Sequence, residues 1–255
     1  MAGERGTVYV YGIFSDAERG QVSVAGVEDA EVRTVKHDGL AALVSDLEAD
    51  ALTAAKEVRA HWRVLEEASA DATVLPVRFG TVMEGDDAVR EQLLAPNAER
   101  LTALLGELSG KVQLSVKADY EQEQLLRGVV AQSPQVAALR ERLKGLPAEA
   151  GYYDRIRLGE LVSSEIERRR EEDRTLALQK LEPLAVSARE ETPSGAEGAF
   201  NLAFLVDRDR IDPFSAAVQG LAEETGKRLR IRYLGPLPPY SFADTELTAG
   251  GAEWA

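Results

Sequence analysis

The chain has 255 residues, of which 44% are hydrophobic and 6% aromatic, so its core is expected to be sizeable and mostly aliphatic. Its 44 acidic and 30 basic residues give a formal net charge of −14, and such a field repels nucleic-acid phosphates and anionic lipid headgroups. The absence of cysteine excludes disulfides, thiolate catalysis and cysteine-based zinc sites. Because of the negative net charge, no nucleic-acid or membrane partner is expected.

Strand patterns open the chain. Residues 7–14 are β-branched and aromatic and predict a buried strand in which Gly12 marks a bulge. Residues 32–36 and 40–44 are two apolar runs, and the Asp-Gly pair at 38–39 lies between them. Because such a pair favours a tight turn, these runs predict an antiparallel hairpin.

Alternating helix and strand patterns continue to residue 118. Residues 53–72 predict a helix with its apolar face on the sheet, and 74–80 predict an edge strand or an irregular extended segment because of a proline. Two short helices at 86–94 and 98–108 and a strand at 112–118 follow. The predicted inner face of the first helix consists of Val58, His61, Trp62, Leu65, Ala68 and Ala72.

A densely charged helical region at residues 121–184 begins the second half, and we expect it to break near Pro134 and Pro147. The arginine- and glutamate-rich run within it is typical of a solvated helix with charge pairs four residues apart. Residues 188–198 are rich in turn formers and acids and predict an exposed loop.

A β-α-β pattern closes the chain. Residues 200–206 predict a strand, Asp212 is expected to cap a helix that ends at Gly226, and 229–233 predict the next strand. The three prolines within 235–240 are expected to end the sheet.

These elements predict an α+β protein of two domains, because strands with inserted helices replace a strict βαβ repeat. An N-terminal domain with an antiparallel sheet is predicted at residues 1–120, and a charged helical connector, part of the C-terminal domain, at 121–185. The β-α-β part of the C-terminal domain is predicted at 186–243 and a flexible tail at 244–255.

The sequence carries no strong enzyme signature. Its only imidazoles are His37, in the predicted turn, and His61, on the apolar helix face, and we interpret both as structural. We assign no catalytic residue, cofactor or metal site. No apolar run reaches the roughly 20 residues of a bilayer span, and the first residues lack a secretory signal pattern. These features predict a cytoplasmic protein.

Four arginines are candidate partner-binding residues. Arg78 lies between apolar neighbours, so it predicts either a partly buried internal ion pair or a cation that grips a carboxylate at a cleft. Arg228, Arg230 and Arg232 alternate with apolar residues and predict a basic stripe on one side of a strand. That stripe is either a solvated strand face or a surface for an acidic partner or the C-terminal segment.

Four segments carry a resemblance to a known family. They are Val-Tyr-Val-Tyr-Gly-Ile at 8–13, Leu-Pro-Val-Arg-Phe-Gly-Thr-Val at 75–82, Gly-Tyr-Tyr at 151–153, and residues 229–242, which end in Gly-Pro-Leu-Pro-Pro-Tyr-Ser-Phe. In this order, over nearly the whole chain, they resemble the GvpF/GvpL gas vesicle family. Members often carry a tryptophan in the strand corresponding to 113–117, and this chain has none there.

The resemblance implies a ferredoxin-like C-terminal domain and no catalytic residues. It also implies an accessory or minor gas vesicle component, an assembly factor that binds the hydrophobic shell protein GvpA and other accessory proteins and limits GvpA aggregation during nucleation. The expected location is the cytoplasm, in association with the vesicle. Two other hypotheses for the function are a regulatory protein that binds a small molecule at a β-α-β edge and an enzyme that uses carboxylates with Arg78.

Overall fold

The computed structural model describes residues 6–18, 22–48, 55–147 and 149–243. The chain divides into two compact units, Met1–Gln113 with Gly235–Ala255, and Leu114–Leu234. Each unit combines helices with a β-sheet, so the predicted α+β class is confirmed. The predicted four-part division of the chain stays a prediction, and its tail at 244–255 lies outside the described residues.

The sheet of the first unit is antiparallel. Its strand order is β2-β3-β1-β4, and β5 also pairs with β1. The predicted hairpin is confirmed, because Asp38 (φ 44°) and Gly39 (φ 82°) make the left-handed turn that joins its two strands. The strands are β1 (Thr7–Ser15), β2 (Arg33–His37), β3 (Leu40–Leu47), β4 (Leu75–Pro76) and β5 (Val82–Met83).

Gly12 forms the predicted bulge in β1. The register against β3 shifts between Val10 and Gly12. A Cβ atom at Gly12 would lie 2.7 Å from Val74 Cγ1 and 3.0 Å from the Leu75 carbonyl oxygen. The absence of a side chain at Gly12 therefore lets the segment before β4 approach the centre of the sheet.

Gly12→Ala is expected to destabilise the protein by about 2 kcal/mol, because the added methyl overpacks a site closed partly by backbone. Urea unfolding followed by circular dichroism measures this change. Gly220→Ala is the matched control, because nothing lies within 4 Å of its added methyl, and an effect near zero or a slight stabilisation is expected. Equal stability of the two variants would contradict the close approach at Gly12.

Helix α1 (Ala55–Asp71) packs on this sheet, and four of the six residues predicted for its inner face, His61, Leu65, Ala68 and Ala72, are buried. Its buried residues are Glu57, Ala60, His61, Val64, Leu65 and Ala68. Val58 and Trp62 are exposed, so their assignment to the inner face is wrong. The inward stripe includes the small Ala60, which contributes little to an apolar pattern, whereas the larger Val58 and Trp62 lie beside that stripe.

The helices that follow agree with the predicted ones. They are α2 (Gly85–Ala88), a π-helical turn (Val89–Leu94), a 3-10 turn (Ala95–Asn97) and α3 (Ala98–Leu108). Leu93, Leu94, Leu101 and Leu105 are buried, so this segment contributes leucines to the core.

The second sheet has the strand order β7-β8-β6-β9, and β7 pairs with β8 in antiparallel register. Residues of β6 from Leu114 onward belong to the second unit. None of the described helices has both the length and the apolar character that a membrane span requires. The elements are β6 (Lys111–Tyr120), α4 (Gln122–Gln132), α5 (Pro134–Leu143), α6 (Tyr152–Leu181), β7 (Ser187–Glu191), β8 (Gly198–Asp207), α7 (Ile211–Thr225) and β9 (Leu229–Leu237).

Two predictions for the second sheet are wrong. The predicted loop at 188–198 begins with strand β7, whose polar sequence lacks an apolar alternation because both of its faces are largely open to solvent. The predicted end of the sheet before the prolines is also wrong, since β9 continues through Pro236 to Leu237. β9 is the last strand in the sheet order, where a residue without an N–H group is tolerated.

Two further details differ from the sequence patterns. Strand β6 buries Gln113 and Ser115 as well as its apolar residues, because an inner strand is covered on both faces. Helix α7 starts at Ile211, two residues earlier than predicted, and Arg210 occupies the N-cap position in place of Asp212. Asp212 therefore lies inside the first turn, where a carboxylate still suits the positive end of the helix dipole.

Candidate functional site

The predicted arginine stripe lies at the start of β9. Arg228 ends a 3-10 turn just before the strand, and Arg230 and Arg232 are exposed residues of the strand itself. Leu229, which lies between Arg228 and Arg230, is buried. Ile231, the next alternate residue, is partly buried, as the alternation predicts. The strand geometry thus presents Arg230 and Arg232 on the same side.

Asp119 on β6 lies beside two arginines of this stripe. Its carboxylate is 2.8 Å from Arg232 Nη2 and 3.7 Å from Arg230 Nη2, and its side chain is only 10% exposed. A nearly buried carboxylate requires a cation or hydrogen-bond donors, and the neighbouring strand supplies both arginines. Arg232 therefore stabilises the folded chain by pairing with Asp119. Arg230, with 72% of its side chain exposed, remains largely in solvent.

Asp173 on α6 holds the third arginine. Its side chain is 2% exposed, forms an ion pair with Arg228 through Oδ1, and accepts a hydrogen bond from the Tyr120 hydroxyl at 2.7 Å through Oδ2. Burial and the contact with Asp173 raise the pKa of Tyr120 far above its usual value. Arg228 and Tyr120 together stabilise a carboxylate that is otherwise isolated from water.

Arg78 differs from its predicted environment. Its side chain is exposed, and no carboxylate pairs with its guanidinium among the residues that the structure describes. The Arg78 carbonyl accepts hydrogen bonds from the Thr81 backbone N–H at 3.2 Å and hydroxyl at 2.7 Å. Because Arg78 is exposed, the prediction of partial burial with an internal partner is wrong.

A buried chain of hydrogen bonds through His61 was not predicted. The Tyr240 hydroxyl donates to the Val77 carbonyl at 3.3 Å, so His61 Nε2, 2.7 Å away, is the donor to the Tyr240 oxygen. His61 Nδ1 then carries no proton and accepts from the Tyr9 hydroxyl at 2.9 Å. The Gly80 N–H donates to the Tyr9 oxygen at 3.0 Å, which completes one consistent direction of donors.

Aromatic rings surround this imidazole. His61 is fully buried and stacks with Tyr11 at 5.7 Å between ring centroids, while the rings of Tyr9 and Phe79 are nearly perpendicular to it. Burial lowers the pKa of His61 to about 4, and burial raises the pKa of Tyr9 and Tyr240. The cluster is therefore uncharged at neutral pH, and its fully buried imidazole fits the structural role predicted for His61.

The described residues contain no group of three or more histidine, aspartate or glutamate side chains arranged to hold a metal ion. His37, at the end of β2, is partly exposed. The sequence could have revealed the His61 cluster only through a lone histidine on an apolar helix face and tyrosines at alternate positions of a buried strand.

The family model described as "Gas vesicle synthesis protein GvpL/GvpF" matches residues 7–244. The chain belongs to the GvpL/GvpF family. A curated relative named gas vesicle protein F, from a Streptomyces species, is 36% identical and covers 93% of this chain and 100% of its own length. A relative of the same name from a Nostoc species is 29% identical and covers 92% of this chain and 97% of its own length.

Solved GvpF structures have the same fold. The crystal structure of GvpF from Anabaena sp. PCC7120 matches with a TM-score of 0.81 and 30% identity over 94% of this chain and 98% of that chain. GvpF from Microcystis aeruginosa matches with a TM-score of 0.78 and 28% identity over 93% and 99%. This chain is therefore a gas vesicle-related protein, and the resemblance inferred from its sequence is confirmed.

Three of the four segments that suggested the GvpL/GvpF family meet at the His61 cluster. Segment 8–13 supplies Tyr9, segment 75–82 supplies Phe79, and segment 229–242 supplies Tyr240. One named residue from each of these three segments therefore contributes to a single aromatic cluster around His61.

Proposed function

We propose that this chain is a non-enzymatic gas vesicle assembly protein that works in the cytoplasm and at the vesicle and binds the hydrophobic shell protein GvpA. The match of the GvpL/GvpF model to residues 7–244 carries the proposal. A subunit with exposed apolar surface and strand edges aggregates, so a partner that covers either holds it in solution until nucleation. Contacts with other gas vesicle accessory proteins belong to the same role.

The net charge of −14 supports a chaperone-like role in buoyancy-organelle assembly, because charge repulsion keeps complexes with an apolar subunit dispersed. We also assign the second unit to the ferredoxin-like fold. Its element order, β-α-β-β-α-β with three helices in the first connection, and its strand order β7-β8-β6-β9 support this assignment.

We place the GvpA contact at the β9 edge of the second sheet, through addition of a strand. β9 is the last strand in the sheet order, and it exposes Arg230 and Leu234. Of the four arginines proposed for partner binding, Arg230 and Arg78 are the better candidates, because Arg228 and Arg232 are held by Asp173 and Asp119. An exposed guanidinium without a close internal partner binds a carboxylate with little competition.

Co-expression with GvpA tests the proposed function. We expect affinity capture of this chain to retain GvpA and to raise the soluble fraction of GvpA severalfold over expression without it, because covered apolar surface no longer aggregates. An unrelated acidic protein of similar size is the control for charge alone. Absence of both capture and solubilisation would refute the role.

Arg230→Glu tests the placement in the same assay. The charge reversal is expected to lower GvpA capture severalfold without loss of folding, because Arg230 is mostly exposed. Arg127→Glu on α4 makes the same change at a guanidinium 78% exposed and should leave capture unchanged. Equal capture by the two variants would remove the β9 edge as the contact while leaving the proposed function intact.

A further inference from the structure

Exposed apolar side chains concentrate just before α6 and in its first turns. Four of the nine large hydrophobic side chains exposed among the described residues lie within positions 146–156. They form the tyrosine patch, which consists of Leu146 (39% exposed), Tyr152 (60%), Tyr153 (84%) and Ile156 (46%). Ile156 follows the two tyrosines by four and three positions, so the three side chains share one helix face.

Arg155 hydrogen-bonds to backbone carbonyls beside the tyrosine patch. Arg155 donates to the Leu146 carbonyl at 3.0 Å and to the Pro147 carbonyl at 3.3 Å, and its own N–H donates to the Gly151 carbonyl at 2.9 Å. The Tyr152 and Tyr153 rings meet edge to face with centroids 5.4 Å apart. The tyrosines are the first two residues of helix α6, and rigid tyrosines lose little entropy when a partner covers them.

The charge around the tyrosine patch is opposite in sign to that of the whole chain. Residues 140–157 contain five basic and three acidic side chains, a local net charge of +2, whereas the chain carries −14. Two of the acids, Glu141 and Asp154, already pair with Lys144 and Arg142. The excess cations that border the apolar centre attract a partner with carboxylates, which is the arrangement of an interface with an apolar core and a polar rim.

We infer that the tyrosine patch is a docking surface for a protein segment that presents apolar side chains beside carboxylates. This inference rests on the proposed function, under which the segment belongs to GvpA, and it adds a contact on α6 to the one proposed at β9. A second copy of this chain is a poorer occupant, because two chains that each carry a net charge of −14 repel each other. An anionic membrane is disfavoured by the same charge.

The test compares GvpA capture by the full chain and by the variant with both Tyr152→Ser and Tyr153→Ser. We expect the double variant to retain at least about tenfold less GvpA, because aromatic residues at the centre of an interface carry most of its binding energy. Val58→Ser, at an exposed apolar residue of α1, is the matched control and should capture normally. Tyr153→Ser alone, at the most exposed of the four side chains, provides a variant whose folding is least affected.

The outcomes separate the two proposals. If the unmodified chain captures no GvpA, the proposed function fails and the inference fails with it. If the unmodified chain captures GvpA and the folded tyrosine variants capture it within twofold of that level, the docking assignment is overturned while the proposed function stands. Sedimentation with phosphatidylserine vesicles that the tyrosine variants abolish would overturn the assignment in favour of a lipid surface.

Discussion

Arg228→Ala is expected to destabilise the protein by about 3 kcal/mol, more than the loss of any other arginine of the stripe. The substitution leaves the Asp173 carboxylate, 2% exposed, with the Tyr120 hydroxyl and without its cation. Removal of one member of a buried ion pair costs about 3–5 kcal/mol, and the partial exposure of Arg228 favours the lower end of this range. Urea unfolding followed by circular dichroism measures the loss.

Arg230→Ala is the matched control, because Arg230 is 3.7 Å from Asp119 and mostly exposed. An exposed, loosely paired arginine contributes about 0–1 kcal/mol. The Asp173→Asn background supplies a second check, since Arg228→Ala should cost less than about 1 kcal/mol once the buried charge is gone. Similar losses for Arg228→Ala in both backgrounds would show that the ion pair is not the source of stability.

This result bears on the proposed function, because a variant that unfolds also loses its partner. Arg228→Ala would lower GvpA capture through loss of the second unit, whatever surface GvpA contacts. Arg230→Glu and the tyrosine variants change exposed side chains, so their capture reports on contact rather than on folding. Measurement of stability beside capture separates the two causes.

Local patterns predicted most of the first sheet correctly. The strand at 7–14 and the turn at Asp38 and Gly39 depend on neighbours in sequence, and the structure contains both. Strand β7 was missed because its residues have no apolar alternation, and its pairing with β8 comes from backbone groups brought together by the fold. Its existence follows from tertiary context, which a single sequence does not display.

The contacts within the polar clusters could not be predicted from the sequence for a different reason. Arg228 and Asp173 are separated by 55 positions, and His61 and Tyr240 by 179. The alternation of the arginines predicted a common side for Arg230 and Arg232, and no pattern indicated that Asp119 lies on the adjacent strand. Only the strand order brings these partners together.

The stability of the first unit is expected to fall by about 3 kcal/mol between pH 7 and pH 4 because of His61 alone. Burial lowers the pKa of His61 from 6.5 to about 4, so the unfolded chain binds a proton in this window and the folded chain does not. Stability therefore rises with pH from about 4 to 6.5, and each pKa unit corresponds to about 1.4 kcal/mol. Above about pH 6.5 His61 is neutral in both the folded and the unfolded chain, so this loss of stability is absent.

Urea unfolding at several pH values, with Trp62 fluorescence as the probe, measures this dependence. The Trp254→Phe background makes Trp62 the sole tryptophan, and its ring lies 4.7 Å from that of Tyr240 beside the His61 cluster. The free-energy difference between the parent and His61→Gln should shrink by about 3 kcal/mol from pH 7 to pH 4, because glutamine has no proton to bind.

His37→Gln is the control, since it removes the chain's other histidine from a partly exposed position at the end of β2. It tests whether loss of any imidazole, and not specifically the buried one, produces the pH dependence. The carboxylates titrate alike in all three proteins, so they cancel in these differences. A difference between the parent and His61→Gln that stays constant with pH would mean that His61 binds its proton equally in both states, and the fully buried, neutral imidazole would then be wrong.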